Sequence, residues 1–315
     1  MKKKLIIVQT NKIWKKIIFI IILITNLLIF SLFVEIQKRT NKTLYFSCFV
    51  TMVKLENKYL RELIEYYKKL KMDKFYIGDD NSFNSEKVSD ILKDYIEEGY
   101  VEILDIREKN FTQGAFFKYT FDIYKRKCEW LAYFDVDEYL EFTDKKLTIN
   151  KYLSQGKFRK CEVIKFNWLM YYDNDLIYYD NRTLQERFKK PKFFENDMRT
   201  IKCIVRGKIK RNAWINNSGP HETPPGLKEC DSLGNFSPYG GGILYPPNYN
   251  YAYLKHYSVK STEEFGYKII KGLYNGEKFD LENRVDYYFA YNNFTYEKLS
   301  LLEKIFNRTF LKFHK

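Results

Sequence analysis

The sequence is poor in the residues that several common chemistries require. It has three histidines in all, His221, His256 and His314, and no serine in a G-x-S-x-G setting, so triad hydrolase chemistry is a poor fit. Its five cysteines (Cys48, Cys128, Cys161, Cys203, Cys230) form no C-x-x-C pair, which argues against a structural zinc site. Their odd number leaves at least one thiol unpaired in an oxidising compartment. Cys48 and Cys203 lie in apolar, strand-like runs and read as packed core residues. There is no internal repeat and no recognisable nucleic-acid-binding motif. Only one apolar run, Ile17 to Val34, is long enough to cross a bilayer, and the first sixteen residues contain no acid.

What is present fits a large folded domain. The 315 residues are 45% apolar and 18% aromatic, with 28 Tyr and 26 Phe, too much burial potential for a disordered chain. The formal charge of +14 is unevenly spread: six lysines (Lys2, Lys3, Lys4, Lys12, Lys15, Lys16) form a basic tail over 1–16. Residues 17–34 follow with no charge and would make about 27 Å of helix, just long enough to span. No small-x-small cleavage site stands near Val34, so an uncleaved anchor is favoured over a signal peptide. The flanking lysines put the N-terminus in the cytosol and everything after 35 outside or in a lumen, a single-pass type II arrangement. A stem over 35–44 would lead to one soluble domain over 45–315. The N-x-[ST] sequons at Asn41, Asn110, Asn181, Asn216, Asn293 and Asn307 fit a secretory chain.

Residues 44 to 140 alternate strand and helix patterns. Leu44–Val53 is a continuous apolar run, as a buried parallel strand requires. Asn57–Leu70 carries Tyr59, Leu60, Leu63, Ile64 and Tyr67 at helical spacing. Lys74–Ile77 reads as a second strand broken by a loop from Gly78 to Ser82. Ser85 reads as the N-cap of a helix through Ile96, with Gly99 at its C′ position. Tyr100–Leu104 is a third strand, Gln113–Lys127 a helix, and Trp130–Phe134 a fourth strand running into Asp135-Val136-Asp137-Glu138. Further on, Cys161–Tyr172 and Ile201–Val205 read as strands, 216–250 as loop, and Thr262–Leu273 and Thr295–Phe310 as helices. This order predicts an α/β fold with a mostly parallel, doubly wound sheet, in which ligands gather at the carboxyl ends of the strands. Asp79-Asp80 and Asp135/Asp137 both fall at such ends.

Asp135 and Asp137, two apart beyond a strand, can hold one hard divalent cation between them and a ligand's phosphates, Mn²⁺ or Mg²⁺. The D-x-D pattern recurs at Asp173 and Asp175, but there it follows an isolated strand.

The blocks KLENKYLRELIEYYKKL from Lys54, KFYIGDDNS, LKDYIEEGYVEIL, Gln113, WLAYFDVDEYL, ERF at Glu186–Phe188, KCIVR at Lys202–Arg206, HE at His221 and HYSVKS at His256–Ser261 together resemble glycosyltransferase family 92. The resemblance implies a GT-A fold in a single catalytic domain, a nucleotide-sugar donor such as a UDP-hexose, a divalent metal, and inverting transfer of a hexose, galactose first, to a glycan or glycoprotein acceptor. A short anchor with a lumenal domain also resembles Golgi glycosyltransferases. On this resemblance Asp79 and Asp80 would grip the uracil or ribose, although an Asx-rich turn explains them equally. Gln113 would join the donor site. Asp135 would sit near ribose and metal, Asp137 and His256 would ligate the metal, and Glu138 would support them or simply begin the next segment. Lys260 would face the diphosphate. Lys202 and Arg206, four apart, share a face if strand-like and could neutralise phosphate or form a solvated edge. The base that inversion needs would be Glu222 first, with Glu186, Asp173 and Asp231 as alternatives. The aromatic loop from Gly234 to Pro247 suits closure over a donor or stacking on a sugar. The stretch between Trp168 and Glu186 departs from the family and leaves acceptor choice open. An inactive, membrane-tethered glycan-binding protein is the competing reading; nucleic acid is not an expected partner.

Overall fold

A computed structural model describes residues 20–31, 43–80, 87–193, 198–209, 221–223, 226–237, 240–272 and 280–313. The basic tail, the ends of the 17–34 run, most of the stem, the Ser85 cap, and Gly219, Pro220, Pro224 and Pro225 lie outside the described residues. The chain divides into two units, 1–44 and 45–315. In the first, 20–31 is helix with exposed apolar side chains from Ile20 to Phe30. Among the described residues no helix is long and apolar enough to cross a membrane.

Among the described residues the second unit carries ten strands: β1 Tyr45–Val53, β2 Lys74–Asp79, β3 Val101–Asp105, β4 Cys128–Tyr133, β5 Glu138–Phe142, β6 Val163–Tyr171, β7 Pro191–Lys192, β8 Ile201–Arg206, β9 Glu229–Cys230 and β10 Ala252–His256. Its helices are α1 Asn57–Lys69, α2 Val88–Ile91, α3 Lys93–Glu97, α4 Gln113–Tyr124, α5 Ile149–Leu153, α6 Leu184–Arg187, α7 Thr262–Lys271, α8 Leu281–Tyr291 and α9 Tyr296–Phe313. The main sheet runs β3-β2-β1-β4-β8-β6-β10-β5, with β7 and β9 paired to β6. β3, β2, β1 and β4 are mutually parallel, whereas β8 runs antiparallel to both β4 and β6. The result is a mixed, mostly parallel α/β sheet, as the alternating pattern predicts for its first half. The expected single helix up to Ile96 is instead two short ones, α2 and α3.

Strand alternation sorts the core. Phe49 and Val53 of β1 face one cluster, covered by α1 through Leu60, Leu63, Ile64 and Tyr67; Cys48, Val50 and Met52 face the other, covered by Phe116, Phe117 and Phe121 of α4. α4 lies so close to β2 that a Cβ on Gly78 would stand 2.5 Å from Phe116 Cζ. That contact, together with the Thr112 cap on Ala115 N, sets where the first residue of α4, Gln113, is aimed. A third cluster joins the end of β6 to α7, α8 and α9. Two disulfides, Cys48–Cys128 and Cys161–Cys230, staple β1 to β4 and the start of β6 to β9; Cys203 is free and buried. Cys48 and Cys203 are both packed in the core, as their apolar runs suggest, Cys48 as one half of a bridge.

Candidate active site

Beyond β4 the chain turns sharply, with Glu138 N donating to Asp135 O at 3.1 Å, and β5 departs for the far edge of the sheet. This turn presents the two carboxylates to different partners. Asp135 accepts from Gln113 Nε2 on one oxygen and from Lys202 Nζ at 3.0 Å on the other. Lys202 is fully buried and stands on β8, whose antiparallel course beside β4 brings its first residues to the carboxyl end of that strand. Burial works against ionising Asp135, yet the Lys202 ammonium outweighs it and holds the carboxyl below its usual range.

Asp137 is 4% exposed. Its Oδ2 accepts from Lys260 Nζ at 2.7 Å and lies 3.5 Å from Lys268 Nζ, while Oδ1 lies 3.6 Å from His256 Nε2. Burial alone would raise this carboxyl; the two ammoniums and the imidazole reverse that and hold it well below its usual range. Lys260 has φ +63°, a left-handed backbone for a side-chain-bearing residue, and its ammonium lies 4.9 Å from the centre of the Tyr59 ring. Glu138 is fully buried, accepts from Asp135 N at 2.8 Å and pairs in register with His256 across β5 and β10. Burial, with Asp135 and Asp137 adding to it against the pull of Lys202, pushes its carboxyl well above the usual range.

His256 packs on Trp168, ring centres 4.1 Å apart, and the same indole meets His221 at 5.0 Å. His221 Nδ1 donates to Ile201 O, 2.8 Å away; burial and the Lys202 charge push the imidazole down to about 4, leaving it neutral. Lys268, Trp168 and the burial of Glu138 are site features that sequence reasoning did not single out. Lys268 sits eight residues past Lys260, one and a half turns along an amphipathic helix, a spacing that could have drawn attention to it.

Other candidates lie elsewhere. Asp79 accepts from Val88 N at 3.2 Å and so fastens the start of α2, while Asp80 N donates to Val53 O; both are buried at the carboxyl end of β2, level with the end of β1. Arg206 does not join Lys202. A strand advances about 3.3 Å per residue, so four residues carry Arg206 to the opposite end of β4, where it stacks on Trp130 at 4.0 Å and binds Glu129 and the carbonyls of Cys161 and Phe158. Asp173 is buried against Lys298 Nζ at 2.7 Å and Tyr288 OH at 2.5 Å. Glu186 is spent on a capping box with Thr183, and Asp231 on the N–H groups of Leu233 and Asn235. Glu222, next to His221, is exposed.

Two carboxylates and an imidazole are donor types that suit Mn²⁺ or Mg²⁺, but the arrangement does not fit a resident divalent cation. Each carboxylate already carries an ammonium, and His256 Nδ1 is buried without a hydrogen-bond partner among the described residues, so nothing orients the ring as a ligand. Among the described residues, no group of three or more His, Cys, Asp or Glu is placed to hold a metal ion.

No protein of curated function matches the chain significantly. Among solved structures, S. aureus TarS 1–349 matches at 12% identity and a TM-score of 0.36, over 84% of this chain and 72% of that one. Its complex with UDP gives the same values, and that with UDP-GlcNAc a TM-score of 0.35 at 12% identity over 84% and 73%. A likeness this loose transfers nothing to the present chain. The glycosyltransferase family 92 model, by contrast, matches residues 45–283, which span every element of the cluster around Asp135 and Asp137. The chain belongs to glycosyltransferase family 92, and it is a glycosyltransferase.

Proposed function

We propose that the chain moves a hexose with inversion from a nucleotide-sugar donor to a glycan acceptor, in a GT-A type domain, with UDP-galactose as the first donor to test. The observation that carries this reading is the pair Asp135 and Asp137 at the carboxyl end of β4, oriented by Gln113, Lys202, Lys260 and Lys268. A sugar nucleotide brings ribose hydroxyls for the carboxylates and a diphosphate for the ammoniums, so both charge signs of the cluster find partners. Asp79 and Asp80, buried at the carboxyl end of β2, two strands over from β4, suit the base and ribose.

Glu222 is our choice of base, because Asp173, Glu186 and Asp231 are each committed to structural hydrogen bonds. It takes the acceptor hydroxyl proton as the acceptor oxygen bonds to the anomeric carbon; the bond from that carbon to the diphosphate oxygen breaks and its electron pair leaves on the phosphate. The domain works beyond a membrane, anchored by 17–34 as a type II protein, in a Golgi-like lumen if the host is eukaryotic. Support comes from two disulfides, which persist in oxidising compartments, and from the exposed apolar helix at 20–31.

The test incubates the full chain with a panel of UDP- and GDP-sugars, with EDTA or Mn²⁺ in parallel, and measures nucleotide release. One or more UDP-hexoses should be turned over, and Asp137→Asn should lower turnover by about 10²-fold or more. No release from any donor, or an Asp137→Asn variant as active as its parent, would overturn the reading.

A further inference from the structure

A cleft of about 280 Å³ opens beside Asp137, between the segment that follows β1 and helix α7. Lys58, Lys260, Lys268 and Lys271 line it together with Glu56 and Tyr59. Its charges do not cancel. Glu56 lies 3.2 Å from Lys271 Nζ, Glu264 receives both arms of Arg187 at 2.6 and 3.1 Å, and Asp137 receives Lys260. Of the residues that line it, four ammoniums (Lys58, Lys260, Lys268 and Lys271) stand against two carboxylates (Glu56 and Glu264). The surplus is two positive charges, held where solvent is partly excluded and Coulomb interactions are strengthened. A doubly charged anion would neutralise this surplus, whereas a divalent cation would double it.

The donors also have capacity to spare. An ammonium offers three N–H groups. Lys268 Nζ donates one to Ser258 O at 2.8 Å and reaches Asp137 at 3.5 Å, while its side chain remains about a third exposed. Lys260 is held beneath it by Asp137 and by its left-handed backbone. The N-terminus of α7 contributes little, because the Ser261–Glu264 capping box already closes it.

We propose that this cleft is the diphosphate subsite of the enzyme, in which Lys260 and Lys268, with Asp137 as their counter-ion, meet the charge of the leaving group without a resident divalent cation. The proposal rests on the nucleotide-sugar reading above and goes against the metal dependence that the family resemblance implies. Asp137 then acts as a positioning residue: it fixes the ammoniums. As the glycosidic bond to the diphosphate breaks, the electron pair comes to rest on a phosphate oxygen facing lysine.

Calorimetric titration of the full chain in detergent tests this with UDP, GDP, uridine and Mn²⁺ as probes. UDP should bind in EDTA with an affinity that changes less than about threefold when Mn²⁺ replaces it, and Mn²⁺ alone should give no binding heat. Lys268→Gln, at a partly exposed position, should weaken UDP at least about tenfold while leaving uridine unchanged, which also reports that the variant is folded. UDP binding that requires Mn²⁺, or Lys268→Gln binding UDP like its parent, would overturn the lysine subsite and leave the nucleotide-sugar reading standing. Binding of neither UDP nor GDP under any condition would overturn both.

Discussion

Lys202 illustrates how much a single buried charge decides. It is fully enclosed on β8 with Asp135 as its partner, so Lys202→Met would leave that carboxylate facing a low-dielectric interior. Removing one member of such a pair costs about 3 kcal/mol or more; urea unfolding should show a loss of that order, and Asp135→Asn in the same chain should recover part of it. Glu264 gives a pH signature. Burial lifts its carboxyl, but hydrogen bonds from Arg187, Ser261 and Tyr59 more than reverse this, carrying it from 4.5 to about 2. A folded value below the unfolded one adds stability in full above about pH 4.5 and loses it as the pH falls toward 2, by ~3 kcal/mol in all. The urea midpoint should therefore drop across that window, and Glu264→Gln should flatten the drop. At this scale the sequence was partly legible. Asp135, Asp137, His256 and Lys260 stand in contiguous blocks, whereas Lys268 and Trp168 enter the cluster only through the packing of α7 and the β6–β10 register. Arg206 misled because shared strand parity was read as shared position, though four residues separate the two ends of a strand.

Elements were legible where one periodicity ruled. β1 and β4 are continuous apolar runs, and α1 has a clean amphipathic stripe, so sequence and structure agree there to within two residues. β5, β10 and α8 were not read. Glu138 and Glu141 interrupt β5, and Lys255 and His256 make β10 look polar, yet these side chains are buried or half-buried: Glu141 pairs with Lys255 across the two strands, His256 faces Asp137 in the turn before β5, and Glu138 accepts from Asp135 N. α8, with Glu282, Asn283, Arg284 and Asp286 among its aromatics, has no simple stripe. Near the site α4 packs tightly on β2. Gly78→Ala would put a Cβ within 2.5 to 2.9 Å of Phe116 and Ile106. Overpacking of this kind costs about 1–3 kcal/mol. The variant should melt lower and, because α4 must retreat and take Gln113 with it, lose turnover as well; Phe116→Leu in the same chain should restore much of both.

For the molecule as a whole, the cysteines set a condition. Parity predicted one unpaired thiol but not the pairing, since Cys48 meets Cys128 only once β1 and β4 lie side by side, 80 residues apart in sequence. Each bridge is expected to contribute about 2–4 kcal/mol. Reduction with dithiothreitol should lower the melting temperature, and Cys48→Ser with Cys128→Ser should reproduce the share of the first bridge. The strand order has a consequence for biosynthesis. Among the described residues β5 pairs only with β10, and Asp137 finds its ammoniums at Lys260 and Lys268, made more than a hundred residues later. A chain interrupted before β10 would hold Asp137 with neither of those ammoniums and β5 without the strand that pairs with it. The proposed donor site is therefore complete only when nearly the whole domain has left the ribosome.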